Sequence, residues 1–330
     1  MSDPAREHLA EQLLVIIRKK PGERFEVEKL ARRLSCDSEQ IRSAAQLLHD
    51  WRYRLKRHRR TVTFVAAPDL LTEIEIAHNI KTKTIGRTLC CYNTVQSTND
   101  IAAQKAEHGA PHGTVVVADR QTRGRGRLGR IWHSPPESGI YVSIVLRPPF
   151  SPEQAPALSI MTSIALADTF NRYAPREVQI KWPNDVWIGG KKAAGILTEL
   201  SADKHKINHV VVGVGINVNQ GVRQFPPELR QSATSLRRAV KRKVRRIEVL
   251  QDFLVRFEKE YEVYLKDGLR PSHAKIRRYS SLIGRQIGIR TGNTVIEGVA
   301  IDIDNEGRLI MDHNGTAVAI TAGEVSVVKR

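Results

Sequence analysis

Residues 118–147 read ADRQTRGRGRLGRIWHSPPESGIYVSIVLR, and this stretch decides how the rest of the chain is interpreted. Its central part, the arginine loop (residues 123–130), holds four arginines and three glycines, with Leu128 as the one large apolar residue. So little apolar surface cannot order the loop by burial alone. Arginine forks grip phosphate and carboxylate groups, and glycine lets the backbone approach them closely. The composition therefore predicts a loop that orders around a polyanionic ligand.

The glycine spacing of the arginine loop matches a dinucleotide-binding fingerprint, but its context does not. That fingerprint needs a strand before the glycines and a helix opening on them. A strand is predicted at Gly113 to Ala118, yet Ser134-Pro135-Pro136 follows the loop and Ile140 to Leu146 is typical of another strand. A Walker A loop is excluded because the chain has no Gly-Lys-Ser/Thr sequence. From these residues alone, a flexible loop for loose nucleic-acid contact remains open.

Two motifs together resemble those of the biotin protein ligases. They are GRGRLGRIWHSP at residues 124–135 and KWPNDVWIGGKKAAGILTEL at residues 181–200. The resemblance extends over nearly the whole chain. It implies an α+β multidomain protein whose central α/β domain has a mixed sheet like that of class II synthetases.

The charge balance and the cysteines limit the class of protein further. Lysine and arginine outnumber aspartate and glutamate by 53 to 35, giving a net charge of +18 and an isoelectric point near 10.1. This balance favours nucleotides, nucleic acid or an acidic protein as partners. Three cysteines are too few and too poorly spaced for a disulfide framework or a zinc site. With neither a signal-peptide core nor a membrane-spanning run, we expect a cytoplasmic protein without membrane attachment.

Residues 1–67 predict three helices followed by a two-stranded hairpin. In the third helix, Asp37 is placed to cap the first turn, with Gln40 in the capping-box position. Two alternating runs follow, Tyr53 to Lys56 and Thr61 to Val65. Three helices with such a wing indicate a winged helix-turn-helix domain.

DNA contact is the functional interpretation of this N-terminal domain. The exposed face of the third helix would offer Arg42, Ser43 and Gln46 to base edges. The basic wing would place Arg57, Arg59 and Arg60 against phosphates. The alternative is a solvated basic surface on a helix-turn-helix kept only for packing. The resemblance favours DNA, because the ligases that also repress biotin operons carry this domain and shorter ligases lack it.

Three further regions follow along the chain. Residues 68–86 are typical of a linker with a short helix from Leu70 to Ile76, and residues 87–280 alternate apolar strands with helices. Within the latter, the run VVVGVGINV at 210–218 suits a strand covered on both faces. Residues 281–330 contain five short alternating segments, which indicate a small β-barrel and resemble the SH3-like C-terminal domain of the ligases. These segments are Gln286 to Arg290, Thr294 to Ile303, Arg308 to Met311, Thr316 to Ile320 and Glu324 to Val328.

Positive charge on loops is the chemical feature of the central region. No serine, histidine or cysteine constellation suggests a covalent nucleophile, so we expect protein groups that position and neutralise phosphate. The resemblance implies the reaction: biotin and ATP form biotinyl-adenylate, with Mg²⁺ as cofactor. A lysine of a biotin carboxyl carrier protein then attacks the adenylate, giving an amide and AMP.

The resemblance also implies roles for individual residues. The catalytic residues are expected to be Lys192, Arg127 and Arg125. Biotin is expected to contact Ser97, Thr98, Asn99, Gln121, Arg125, Gly126, Arg127 and Lys192. ATP or the adenylate is expected to contact Gly124, Arg127, Arg130, Trp132, Asn184 and Lys192.

Some of these residues have simpler explanations. Ser97 is also placed to cap the helix that follows it. Asp185 is a candidate Mg²⁺ ligand, since a hard cation prefers oxygen, but it also suits a turn. A lysine whose only role is to face solvent on a hairpin is an interpretation that fits Lys191 better than Lys192.

Other interpretations stay open at this point. A lipoate-type ligase would share the fold and the adenylate chemistry. The winged helix could be structural only, or the chain could be a transcription factor that senses biotin without catalysis. The basic run Arg237 to Arg246 is either a solvated loop and helix start or an additional polyanion contact. The resemblance further suggests a homodimer, formed through the central sheet when the adenylate is bound.

Overall fold

The computed structural model describes residues 3–203, 206–291, 294–321 and 323–327, and they fall into two compact units. The first unit ends at Asp69 and the second begins at Leu70. Among the described residues, no helix is both long and apolar enough to cross a bilayer.

The first unit consists of helices packed with a small antiparallel sheet. Its described elements are α1 (Pro4–Ile17), β1 (Phe25–Glu26), α2 (Val27–Arg33), α3 (Ser38–Asp50), β2 (Arg54–Arg57) and β3 (Thr61–Ala66). The predicted capping box is confirmed, because Asp37 Oδ1 accepts from the Gln40 amide at 2.7 Å and Gln40 Oε1 accepts from the Asp37 amide at 2.9 Å. The strand β1, which pairs with β3, was not predicted because two residues are too few to show alternation.

A seven-stranded mixed sheet forms the centre of the second unit, in the order β4-β5-β6-β10-β9-β8-β7. The first pair, β4 and β5, is parallel, and the other neighbours are antiparallel. Its strands are β4 (Leu89–Val95), β5 (Val115–Gln121), β6 (Gly139–Leu146), β7 (Val178–Lys181), β8 (Asp185–Ile188), β9 (Lys191–Ala202) and β10 (Ile207–Asn217). The helices of this unit are α4 (Glu73–Ala77), α5 (Thr98–Glu107), α6 (Ala157–Asn171), α7 (Leu236–Val240), α8 (Arg246–Asp267) and α9 (His273–Tyr279).

Helices cover both faces of this sheet. On one face α5 packs Ala102 and Ala106 against Val116, Val145 and Val211. On the other face α6 and α8 pack against each other and contribute to the main core. The predicted strand covered on both faces is therefore confirmed for residues 210–217, and Val218 lies just after its end.

The segment predicted as a linker, residues 68–86, is folded into the second unit from Leu70 onward. Ile76 and Ile85 are buried in the main core. The buried carboxylate of Glu258 accepts hydrogen bonds from the backbone amides of Lys83, Thr84 and Ile85 at 2.7–2.8 Å. The polar composition of this segment is typical of a linker. Its hydrogen-bond partner on α8 lies more than 170 residues away in the sequence, so the sequence pattern did not show that the segment is folded.

The C-terminal strands form a five-stranded antiparallel sheet, in the order β14-β13-β12-β11-β15. Its strands are β11 (Gln286–Thr291), β12 (Thr294–Ile303), β13 (Leu309–His313), β14 (Thr316–Ile320) and β15 (Glu324–Val327). Over the part of the chain that the structure describes, β14 and β15 do not pair with each other, so the sheet is not a closed barrel. Val328, the predicted end of the last strand, lies outside the described residues.

The C-terminal sheet shares the core of the central sheet. Its residues Ile287 and Leu309 belong to the same buried cluster as α6 and α8. The indole of Trp182 donates to the carbonyl oxygen of Gly307 at 2.8 Å. The predicted boundary near residue 281 therefore does not separate two compact units.

Candidate active site

A cavity of about 500 Å³ lies in the second unit and collects nearly every predicted ligand-binding residue. The predicted residues that line it are Ser97, Thr98, Asn99, Gln121, Arg125, Gly126, Arg127, Arg130, Trp132, Asn184, Asp185 and Lys192. Gly124 does not line it. A Cβ atom at Gly124 would lie 2.5 Å from the carbonyl oxygen of Trp132, so this glycine allows close packing instead.

The arginine loop is folded as a small hairpin. The Gly126 amide donates to the Arg130 carbonyl at 2.7 Å, and the Trp132 amide donates to the Gly124 carbonyl at 2.9 Å. These backbone hydrogen bonds within the loop were not predicted from the sequence. Composition alone did not show that backbone hydrogen bonds and ion pairs would replace apolar burial.

Arg125 fixes the arginine loop to the neighbouring α5 and β9. Its guanidinium lies 2.6 Å from Asp100 Oδ1 and 2.8 Å from Glu199 Oε1. Glu199 Oε2 also accepts from Nδ2 of the Asn99 side chain at 2.6 Å. Two protein carboxylates thus neutralise Arg125, so its surroundings suit a positioning residue better than the predicted clamp on the adenylate.

A connected set of polar side chains forms one end of the cavity. The Thr98 amide donates to Gln121 Oε1 at 2.8 Å, and the Ser143 hydroxyl lies 2.6 Å from Asn99 Oδ1. Ser97 occupies the N-cap position of α5, but its side chain makes no capping hydrogen bond. Capping therefore does not account for Ser97, which is buried at the cavity wall.

Two glycines of β10 make room for this arrangement. A Cβ atom at Gly213 would lie 2.0 Å from Asn99 Oδ1, and one at Gly215 would lie 2.3 Å from the indole nitrogen of Trp132. The indole nitrogen of Trp132 is buried and has no hydrogen-bond partner among the described residues. Because Trp132 also lines the cavity, this donor is available to an acceptor on a bound ligand.

Lys192 is held at the start of β9. Its Nζ lies 2.7 Å from Asp185 Oδ1 and 5.4 Å from the centroid of the Trp132 ring. Its backbone amide donates to the Ser232 carbonyl at 2.9 Å. The neighbouring Lys191 does not line the cavity.

Arg127 brings a second positive charge to the cavity. Its Nη1 donates to Asn184 Oδ1 at 3.2 Å. Asn184 is itself fixed, because its Nδ2 donates to the Ile196 carbonyl at 2.8 Å. Arg127 and Lys192 together make the cavity suited to an anionic ligand.

The described residues do not form a resident metal site. They contain no cluster of three or more His, Cys, Asp or Glu side chains that could hold an ion. Asp185 is the carboxylate that lines the cavity in the described ranges, and it is already paired with Lys192. The predicted role of Asp185 as a Mg²⁺ ligand therefore gains no support from its surroundings.

Several residues of the site were not predicted from the sequence. Ser143 and Glu199 do not line the cavity, but both hydrogen-bond to the side chain of Asn99, which does. Lys181 and Trp187 line the cavity and contact each other, with the ammonium 4.7 Å from the centre of the indole ring. Charge inside the KWPND motif was the only sign of Lys181 in the sequence.

Comparisons with known proteins agree with this geometry. A profile of the Biotin/lipoate A/B protein ligase family matches residues 92–217, and one of the Biotin protein ligase C terminal domain matches residues 282–328. The chain is 34% identical to the bifunctional ligase/repressor BirA of Bacillus subtilis, over 98% of this chain and 99% of the relative. It is 34% identical to the biotin–[acetyl-CoA-carboxylase] ligase of Mycobacterium tuberculosis, over 69% of this chain and 85% of the relative. The solved biotin protein ligase of Aquifex aeolicus in complex with biotin and ATP superposes with a TM-score of 0.63 at 29% identity, covering 74% of this chain and 100% of that one.

Proposed function

The chain belongs to the biotin protein ligase family, and from that premise we propose that its cavity activates biotin with ATP and then transfers the biotinyl group to a carrier protein. First, a biotin carboxylate oxygen attacks the α-phosphorus of ATP, the bond to the β-phosphate oxygen breaks, and pyrophosphate leaves. Then the deprotonated ε-amine of a carrier lysine attacks the carbonyl carbon of the biotinyl-adenylate. The bond from that carbon to the phosphate oxygen breaks and AMP leaves. The attacking nitrogen releases one proton to solvent, which completes the amide.

The observation that carries this proposal is the placement of Lys192 and Arg127 in one cavity with the buried indole donor of Trp132. Negative charge grows at the α-phosphate as the carboxylate attacks. Fixed cations and donors stabilise that charge without having to reorganise. Lys192 would leave its ion pair with Asp185 and pair with the phosphate instead. Arg127, which is hydrogen-bonded to Asn184, would neutralise the negative charge of the adenylate.

We assign the polar end of the cavity to the biotin ring system. The ureido group of biotin has both donors and acceptors, and Thr98, Asn99 and Gln121 present both kinds of group. Ser143 and Glu199 hold these side chains from behind. The mixture of indole and glycine walls leaves space for the apolar part of the ligand.

Magnesium would enter as the complex with ATP. Mg²⁺ usually keeps several waters and binds one or two carboxylates together with substrate phosphates. The phosphates would supply most of its ligands here, since the carboxylate of Asp185 is shared with Lys192. When bound, the ion neutralises the leaving pyrophosphate.

The test is incubation of the protein with ATP, Mg²⁺, biotin and an apo biotin carboxyl carrier domain, followed by mass spectrometry. We expect the carrier to gain the mass of one biotinyl group, and to gain nothing when ATP is left out. A parallel incubation with lipoate separates the two activities that the family profile names. Transfer of lipoate in place of biotin would show a lipoate-type ligase and contradict the proposal.

We also propose that the first unit is a winged helix-turn-helix that represses biotin genes as a homodimer. It is supported by three helices with a basic hairpin, and by a hydrogen bond from Arg57 in the hairpin to Gln46 on α3. Arg42, Arg59 and Arg60 are exposed on the same unit. The likeness to the full length of a bifunctional ligase/repressor supports the same assignment. The C-terminal sheet would correspond to the SH3-like domain of the family.

A further inference from the structure

The basic run RRAVKRKVRR at residues 237–246 is used by none of the steps above. Residues 70–330 carry 38 lysines and arginines against 25 aspartates and glutamates, a net charge of +13. The seven basic residues of this run amount to more than half of that net charge. A concentration of this kind calls for its own explanation.

The structure separates one member of the run from the others. The side chain of Arg246 is 1% exposed and its Nη1 lies 2.6 Å from Asp119 Oδ1. The backbone just before it is fixed, because Val244 exchanges hydrogen bonds of 3.0 and 2.8 Å with the side chain of Asn219. The run is thus anchored to the end of the central sheet at residue 246.

Five of the remaining six cations face solvent, whereas Arg238 is half-buried and its Nη1 donates to the Ala233 carbonyl at 2.8 Å. Arg237, Lys241, Arg242 and Lys243 are exposed, and in the described ranges no carboxylate lies within ion-pair distance of them. Arg245 is exposed and pairs at 3.5 Å with Glu248. Like charges held this close repel one another and destabilise the folded state. The fold itself does not need them there.

The exposed cations continue from the segment that borders the cavity. Phe225, Leu229 and Ala233 line the cavity, and the Thr234 amide donates to the carbonyl oxygen of Lys192 at 2.8 Å. Arg237 follows three residues later, where its amide donates to the carbonyl oxygen of Val218, just after the end of β10. The positive surface therefore lies on the same stretch of chain that shapes the site.

We propose that Arg237, Lys241, Arg242, Lys243 and Arg245 form a docking surface for an acidic face of the carrier domain. This inference rests on the proposed transfer of biotin to a carrier. The carrier has to bring its lysine to the cavity in every turnover, and opposite charge beside the cavity raises the rate of productive encounter. A nucleic acid has no reason to visit the cavity, and the first unit offers its own basic hairpin.

The experiment compares two triple variants of the whole protein. One removes charge from the surface, Lys241→Gln, Arg242→Gln and Lys243→Gln. The matched control removes three exposed charges from the same unit, Lys259→Gln, Lys266→Gln and Arg270→Gln. Each is assayed for kcat/KM toward an apo biotin carboxyl carrier domain at low and high salt, and for pyrophosphate release from ATP and biotin without carrier.

We expect the surface variant to lose about tenfold in kcat/KM for the carrier at low salt, mainly through KM. At high salt the difference should shrink, because screening acts over about 10 Å at 0.1 M and less above it. Pyrophosphate release without carrier should match the parent in both variants, and the control should transfer biotin like the parent.

Three outcomes would overturn the docking surface: unchanged transfer, equal losses in both variants, or a loss of pyrophosphate release as large as the loss of transfer. Loss of DNA binding in a gel shift with transfer intact would instead assign the surface to nucleic acid. Failure of the parent to biotinylate any carrier is a separate result, which would contradict the proposed function itself.

Discussion

Lys192 and Lys191 are neighbours on β9 that carry the same charge in different surroundings. Lys192 lines the cavity 2.7 Å from Asp185, whereas Lys191 does not line it. We expect Lys192→Ala to reduce adenylate formation by about a hundredfold or more, because it removes a fixed cation from the developing phosphate charge. Lys191→Ala should change it less than about twofold. Pyrophosphate release from ATP and biotin measures both, and equal effects would remove the reason to single out Lys192.

Substitution of Arg127 and substitution of Arg125 should impair the protein in different ways. Arg127→Ala removes one charge-assisted hydrogen bond to the adenylate, which should weaken its retention by about 1.5–3 kcal/mol. Arg125→Ala leaves Asp100 and Glu199 without their shared partner, so it should loosen the arginine loop. Dissociation of biotinyl-adenylate from the protein is the measurement for the first variant, and protease cleavage within residues 123–130 is the measurement for the second. If Arg127→Ala kept the adenylate as the parent does, the role given to Arg127 would be wrong.

The charged residues Arg127 and Lys192 were predictable from the sequence, and the residues that support them were not. Both are conspicuous because charge beside glycines has few structural uses, although Lys192 lies on β9 and not on the predicted loop. Ser143 on β6 lies opposite Gly213 on β10. Because Gly213 has no side chain, Asn99 fits against it and hydrogen-bonds to Ser143. The sequence pattern does not show that two strands and a helix bring these three residues together.

At the scale of elements, a buried ion pair ties the start of α8 to the sheet. Arg246 is enclosed at the base of α8, while Asp119 belongs to β5 just before the arginine loop. Asp119→Asn would remove the Asp119 carboxylate from its ion pair with the buried Arg246 guanidinium. We expect this to lower the free energy of unfolding of the second unit by about 3–5 kcal/mol.

Urea unfolding followed by tryptophan fluorescence tests this prediction, since three of the four tryptophans lie in the second unit. The control is Arg172→Met, which removes an ion pair between a mostly exposed arginine and Asp252 of the same helix as Arg246. The control should cost less than about 1 kcal/mol. Equal costs for the two variants would mean that burial adds nothing to the Asp119–Arg246 pair.

The helices were predictable because their apolar periodicity is local. The polar segment of residues 70–86 was misjudged, since Glu258 and Gln251 on α8 satisfy its backbone groups across the fold. The basic run was expected to be either a solvated loop and helix start or an additional polyanion contact. Burial of Arg246 alone could not be predicted without knowing that Asp119 would face it.

At the scale of the whole molecule, the net positive charge serves each unit separately. The exposed cations of the first unit include Arg42 on α3 and those of the hairpin, and the exposed cations of the second unit include those of the basic run. Composition yields the sum, +18, but not this division. Because each unit has its own exposed cations, charge can be removed from one unit while the function of the other unit is measured.

The last prediction connects the two units through the adenylate. One recognition helix offers few base-reading groups, so a single copy should bind a specific site weakly. Two copies held in a dimer would reach successive major grooves about one helical turn, or a multiple of it, apart. If biotinyl-adenylate favours the dimer, it should strengthen binding to DNA, and by linkage the DNA should favour the adenylate-bound dimer.

A gel-shift titration with DNA from upstream of biotin-synthesis genes, with and without biotin plus ATP, measures this coupling. Changing Arg57, Arg59 and Arg60 to Gln should weaken binding to all DNA and lower the salt slope by about 0.9 for each phosphate that the protein no longer neutralises. Arg42→Ala should mainly relax sequence preference, because Arg42 lies on the exposed face of α3, where Glu39 holds it at 2.7 Å until a base competes. Analytical ultracentrifugation should show the dimer growing in parallel with DNA affinity. Binding that ignored the adenylate would uncouple the two units, and absence of binding at low salt would leave the first unit a structural appendage of the ligase.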